Sequence, residues 1–100
     1  MFDLLKIKEA VESLFDVELT VEDICFREGK ELRWKKGNDE VTIRINKYVV
    51  SELFGKEHIH FDYWNGTGGR SSPCDSLEQL IDRFDQIGMP RKRQISIWEV

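Results

Sequence analysis

Residues 57–70 read EHIHFDYWNGTGGR, and this stretch decides the fold because it joins a strand pattern to a glycine-rich segment. In an extended chain, successive side chains point to opposite faces. The two faces carry Ile59, Phe61 and Tyr63 on one side, and His58, His60, Asp62 and Trp64 on the other. The first set suits a hydrophobic core and the second is polar. We therefore expect a strand over 57–64 with a chemically unusual outer face, followed by a loop over 65–73.

The sequence predicts two amphipathic helices, one before this strand and one after it. The first covers about 2–15, with Asp3 near its start, where a carboxylate suits the helix dipole. The second begins at Asp75 or Ser76, which act as capping residues, and ends before Gly88. The buried stripes are Leu4, Ile7, Val11 and Leu14 in the first helix, and Leu77, Leu80, Ile81, Phe84 and Ile87 in the second.

A three-stranded antiparallel meander is predicted over 24–46. Its first strand covers about 24–27, after a short turn that is capped within 20–23. If Phe26 and Ile24 share a face with Leu32 and Trp34, the connection needs an odd number of residues, and 28–30 provides three. The next connection must be even, and Gly37-Asn38 is a favoured two-residue hairpin turn.

Two further segments complete the predicted order of elements. Residues 47–54 fit a short helix that ends at Gly55, although the valine pair within them would also suit a strand. Residues 94–99 fit a last strand. The chain is then an α+β protein, with about five mostly antiparallel strands and two long helices packed on one face, in the order α-β-β-β-(short α)-β-α-β.

Composition limits the class of protein. With 100 residues, 40% hydrophobic and 34% charged, the sequence is typical of one globular domain. The net charge of −4 argues mildly against a dedicated nucleic-acid binder. The N-terminal stretch carries lysines and glutamates among its apolar residues, so it is not the core of a signal peptide, and no apolar run is long enough to span a membrane. We expect a cytoplasmic protein with Cys25 and Cys74 as free thiols.

The outer face of the sheet is the candidate site. By alternation it also carries arginines of the meander and a tryptophan of the last strand, and basic residues outnumber acidic ones there. Trp and Arg are enriched at the centres of protein interfaces. We therefore expect a small non-enzymatic module of the inhibitor, immunity or regulatory type, which docks on another protein through this face and the 65–73 loop. The predicted contact residues are Arg33, Arg44, His58, His60, Trp64, Arg70 and Trp98.

Three alternatives stay open. The same face could bind single-stranded nucleic acid by stacking and charge, and it could also pair two copies as a homodimer. His58, His60 and Asp62 have a spacing that can ligate a divalent metal, and the glycine-rich loop with Arg70 could bind phosphate, either of which would suit a small enzyme. The histidine string is similar to the start of the H-x-H-x-D-H motif of the metallo-β-lactamase superfamily. However, Tyr63 replaces the closing histidine, and no residue role follows from it. We expect no cofactor.

Overall fold

The computed structural model describes residues 2–25, 28–46 and 57–92. Its elements are α1 (Leu4–Leu14), β1 (Thr20–Asp23), β2 (Lys30–Lys36), β3 (Asp39–Asn46), β4 (His58–Trp64), β5 (Gly69–Cys74) and α2 (Leu77–Gln86). The five strands form one sheet in the order β1-β2-β3-β4-β5, and every neighbouring pair is antiparallel. The predicted α+β class with a five-stranded antiparallel sheet is confirmed. The helices, of 11 and 10 residues, are shorter than expected.

Local sequence signals fix both helices. The Asp3 side chain caps α1 by accepting a hydrogen bond from the Leu5 N–H at 2.9 Å, and Ser76 caps α2 by accepting from the Gln79 N–H at 3.3 Å. After α2 the chain reverses at Gly88, and the Met89 N–H donates to the Phe84 carbonyl at 3.0 Å, which satisfies a carbonyl at the helix end.

The hydrophobic core lies between the helices and one face of the sheet. Three phenylalanines form its centre: the Phe84 ring of α2 is 5.4 Å from the Phe61 ring of β4 and 5.3 Å from the Phe15 ring. The cluster around them includes Ile7 and Val11 of α1, Leu80 of α2, and the inward residues Leu32, Val41, Ile43 and Ile59 of the sheet. Burial of this apolar surface is the main stabilising contribution to the fold.

The first strand begins four residues earlier than predicted. The stretch expected to form a capped turn, 20–23, is β1 itself, and Val21 pairs with Leu32 of β2. The predicted strand at 24–27 falls partly on 26–27, which lie outside the described residues. Beyond β1, the Ile24 N–H donates to the Gly29 carbonyl at 3.1 Å. Both strand positions satisfy alternation, because the observed register places Val21 on the same sheet face as the buried Leu32, although Val21 itself is 43% exposed.

The second hairpin was predicted correctly and the fifth strand was not. Lys36 pairs with Asp39, so Gly37-Asn38 is a two-residue turn, and the φ of +62° at Gly37 is one that glycine adopts without strain. By contrast, most of the predicted 65–73 loop is strand β5, which pairs with β4. Its sequence GRSSPC has weak strand propensity, but a proline is tolerated in a strand at the edge of a sheet.

Two predicted elements lie outside the described residues. These are the short helix or strand at 47–54 and the last strand at 94–99, which includes Trp98. Within the described ranges, neither helix is long and apolar enough to cross a membrane. The two predicted free thiols are confirmed: Cys25 is exposed and Cys74 is buried in the core.

Candidate functional site

The sheet face opposite the hydrophobic cluster, here called the outer face, is built by the register of β3, β4 and β5. Thr42 pairs with Asp62, which pairs with Ser71, so these three side chains form one row across the strands. Glu40, Trp64 and Gly69 form the next row. The rows bring together residues that are far apart in the sequence.

Burial changes along this face. On β4 the even-numbered residues pass from buried at His58 (8% exposed) through half-buried at His60 and Asp62 to exposed at Trp64 (51%). Glu31 of β2 is also buried, at 2% exposure. The accessible part is therefore the end that carries Trp64. The predicted contact residue His58 is thus largely shielded from solvent in the free chain, and its role in binding a partner stays a prediction.

Asp62 is the centre of a polar network. Its Oδ2 accepts a hydrogen bond from the Arg44 guanidinium at 3.3 Å, and the His60 Nε2 lies 3.2 Å from its Oδ1. The Ser71 hydroxyl donates to the same Oδ1. The carboxylate is thus held from three directions by side chains on both neighbouring strands and on its own.

These contacts decide the charge of Asp62. Its partial burial opposes ionisation, but the hydrogen bonds from His60 and Ser71, with the positive charge of Arg44, outweigh this effect and lower the pKa of the carboxyl. Asp62 is therefore ionised at neutral pH. Because its position and charge are fixed in advance, the group can contribute to recognition without much loss of conformational entropy.

The same geometry does not form a nucleophilic site. A serine nucleophile needs a general base within hydrogen-bond reach of its hydroxyl. Here the Ser71 hydroxyl donates to the Asp62 carboxylate, and His60 contacts that carboxylate as well. The order is serine–carboxylate–histidine rather than serine–histidine–carboxylate, so the arrangement fits structural positioning better than acyl transfer.

The metal alternative finds little support in the geometry. The rings of His58 and His60 are 6.3 Å apart between centroids and nearly perpendicular. Within the described ranges, no group of three or more His, Cys, Asp or Glu side chains is arranged to hold a metal ion. The Asp62 oxygens are already engaged by Arg44, His60 and Ser71, which compete with a metal for the carboxylate.

Trp64 is fixed in place by a glycine on the neighbouring strand. Gly69 is its direct partner across β4 and β5, and a Cβ atom added to Gly69 would lie 2.9 Å from the indole Cε3 and closer still to the Tyr63 carbonyl oxygen. Only a residue without a side chain leaves room for this contact. The indole therefore packs over Gly69 while half of the Trp64 surface stays accessible.

A groove of about 400 Å³ lies beside Trp64. Its polar walls come from Glu40 and Thr42 of β3, Asp62 of β4, and Ser71 of β5. Arg70 also lines the groove, although its strand partner is Tyr63, an inward residue. Arg70 was expected in a loop; it lies in β5, at the rim of the groove rather than in a row of the outer face.

The glycine-rich turn engages its own backbone donors. The Asn65 Oδ1 accepts hydrogen bonds from the Gly68 N–H at 2.7 Å, the Thr67 N–H at 3.0 Å and the Thr67 hydroxyl at 3.1 Å. Moreover, β5 separates this turn from the start of α2. The features that would bind phosphate, namely available N–H groups next to a helix N-terminus, are not brought together here.

Basic residues were expected to outnumber acidic ones on the outer face, and in its described part they do not. β1 contributes Thr20 and Glu22 opposite Arg33 and Glu31, where the sequence suggested Cys25 and Arg27; Arg27 is outside the described residues. The two arginines are also neutralised locally, since the Arg33 Nε donates to Glu31 at 3.0 Å and Arg44 pairs with Asp62. A polyanion would have to displace both carboxylates.

The structure brings together most of the predicted contact residues and adds others. Trp64, His60 and Arg44 lie on the outer face near the groove, with Arg70 at its rim, whereas Arg33 lies two strands from β4. Trp98 is outside the described residues. Sequence reasoning did not select Ser71 or Gly69, because their positions depend on the pairing of β4 and β5. Alternation on β3 assigns Glu40 to the outer face, but it was not selected as a contact residue.

Comparison with known proteins gives no functional guide: no protein-family model, no curated protein and no solved structure matches the chain.

Proposed function

We propose that the chain is a small protein-docking module, which binds another protein through the Trp64 end of its outer face. The observation that supports this most directly is the half-exposed Trp64 side chain packed over Gly69. A monomer gains nothing in stability from exposing half of a tryptophan. Such residues are enriched among the anchors of protein interfaces.

The anchor is already packed against Gly69 before binding. Because the indole packs against Gly69, few of its conformations are lost when a partner covers it, and the entropic cost of association falls. An ordered aromatic side chain at the edge of a groove can insert between partner side chains or accept one beside it.

Polar groups surround the anchor in the pattern of an interface rim. Asp62 is held by Arg44, His60 and Ser71, so its oxygens keep a fixed geometry. Glu40 and Arg70 line the same groove with opposite charges. Near-balanced, fixed charges give specificity for one protein surface more than strong attraction to a polyanion, and this favours a protein partner over nucleic acid.

A comparative co-purification tests the proposal. The tagged chain is isolated from cells that naturally make it, beside Trp64→Ala and Leu5→Ala variants, and bound proteins are quantified by mass spectrometry. Leu5 is the matched control, because it is an exposed apolar residue (60%) on α1 and not on the outer face. We expect Trp64→Ala to lose a partner that Leu5→Ala retains.

Two results would contradict it. In one, both variants keep the same bound proteins as the wild type; in the other, both lose them equally. Sedimentation of the wild type and Trp64→Ala tests whether the partner is a second copy of the chain, which a dimer formed only by the wild type would show.

A further inference from the structure

Three charged side chains line the groove beside Trp64. Its titratable lining consists of the carboxyl groups of Glu40 and Asp62 and the guanidinium of Arg70, with the tyrosine hydroxyl of Tyr63 neutral at pH 7. Arg44 pairs with Asp62, so Glu40 and Arg70 are, within the described ranges, the two lining charges without an ion pair, and Lys35 faces Glu40 across β2 and β3. The whole chain is acidic, with a formal net charge of −4. A positively charged group is therefore attracted to the chain at long range by its net charge, and within the groove by Glu40.

Glu40 is the available counter-charge. It lies directly across from Trp64 in the β3–β4 pairing. Among the residues that the structure describes, its side chain has no hydrogen-bond or ion-pair partner, whereas Asp62 is engaged three times. An incoming cation would meet an unpaired carboxylate at Glu40 without having to break an existing ion pair.

Trp64 provides the second part of a cation site. The face of an indole ring attracts ammonium and guanidinium groups, with a contribution of about 0.5–1 kcal/mol at exposed positions. Gly69 contacts the indole from the β5 side, Glu40 lies across from Trp64 on the β3 side, and Trp64 and Glu40 line the same groove. An aromatic face and a carboxylate side by side form a common environment for arginine and lysine side chains.

We propose that the Trp64 groove binds a basic side chain, arginine or lysine, that the partner protein presents. This inference rests on the docking function proposed above and names the chemistry of its central contact. The cation lies against the Trp64 indole with Glu40 as its counter-ion. Arg70 at the rim repels the cation and limits its affinity, so the two charged residues have opposite effects.

Nuclear magnetic resonance titration with short peptides tests this contact directly. The probes are N-acetyl-Gly-Arg-Gly-amide and its counterpart with Glu in place of Arg, and the reporter is the indole N–H signal of Trp64, assigned by its loss in Trp64→Phe. We expect a saturable shift of this signal with the arginine peptide and none with the glutamate peptide.

Three substitutions fix the sign of the effect. Since an exposed ion pair contributes about 0.2–1 kcal/mol, Glu40→Gln is expected to weaken binding of the arginine peptide by a factor of roughly 1.4 to 5. Arg70→Gln is expected to strengthen it by a similar factor. Glu22→Gln is the control, because Glu22 is an exposed carboxylate on β1, outside the groove, and it should leave the affinity unchanged.

Equal shifts with both peptides would overturn the inference, as would a Glu40→Gln variant that binds the arginine peptide as well as the wild type does. An equal loss in Glu22→Gln would also overturn it, because it would show attraction by net charge alone. These results can be distinguished from those of the co-purification with Trp64→Ala. If Trp64→Ala loses its partner in the co-purification but the titration shows no preference for arginine, the docking function is supported and the basic contact is rejected.

Discussion

Gly69 gives the sharpest test of how Trp64 is positioned. In Gly69→Ala the new Cβ would lie 2.9 Å from the Trp64 Cε3 and closer to the Tyr63 carbonyl oxygen, which belongs to the backbone of the paired strand. The side chain can move, but relief from the carbonyl requires β5 to shift relative to β4. Overpacking of this kind costs about 1–3 kcal/mol, and the lower entropy of the unfolded alanine variant returns roughly 0.4–1 kcal/mol.

The net expectation is a loss of about 1–2 kcal/mol in the free energy of unfolding. For a chain of this length, 1 kcal/mol corresponds to a decrease of roughly 5 °C in Tm. Urea and thermal denaturation measure both quantities. The control is Gly68→Ala, because a Cβ at Gly68 has no neighbour within 4 Å. A Gly69→Ala variant as stable as Gly68→Ala, with an unchanged Trp64 indole signal, would refute this explanation of the tryptophan's position.

Three other predictions concern the network, the turn and the core. Asp62→Asn should lower stability at neutral pH. Because the folded-state pKa of Asp62 is lowered, the stabilisation is fully present above its ordinary pKa of 3.8 and is lost as pH falls through the lower folded value. The difference in stability between variant and wild type, measured by urea denaturation, should therefore shrink on acidification, and a pH-independent difference would contradict the assignment. Asn65→Ala should cost about 1 kcal/mol through the lost turn hydrogen bonds, whereas Asn65→Asp keeps an accepting oxygen and should be tolerated; equal losses in both variants would argue against the turn. Phe84→Ala should cost about 3–5 kcal/mol, measured by denaturation beside Leu5→Ala, and a loss below about 1 kcal/mol would place Phe84 outside the core.

Much of the fold follows from local sequence signals. The alternation from His58 to Trp64 predicted β4 and its two faces, Gly37-Asn38 predicted the second hairpin, and Ser76 predicted the start of α2. Each of these signals acts over a few residues, through side-chain direction, positive φ or capping. Their agreement with one another is the reason that they could be combined into an α+β sheet.

The errors occur where local signals are ambiguous or weak. Val21 and Ile24 both suit an inward position, and alternation alone could not choose between strands at 20–23 and 24–27. β5 lacks β-branched and aromatic residues, so its strand state depends on pairing with β4 rather than on propensity.

Alternation placed His60, Asp62 and Trp64 on one face of β4 but gave no information about their burial. Alternation assigns a residue to a face and does not say how deeply it is buried, which is why His58 was expected at the surface although it is 8% exposed. The contact between Trp64 and Gly69, and the grouping of Glu40 with them, follow from the register of three strands. That register is a tertiary property and could not be derived from one segment.

The central claim is that a partner protein covers Trp64, and site-specific photo-cross-linking tests it most directly. The photoreactive amino acid p-benzoylphenylalanine replaces Arg70, which lines the groove beside Trp64, in one variant and Leu5 in another, and both are irradiated in the cells that naturally make the protein. We predict a covalent adduct of defined mass from position 70 and none from position 5. Adducts of equal yield from both positions, or from position 5 alone, would contradict the claim.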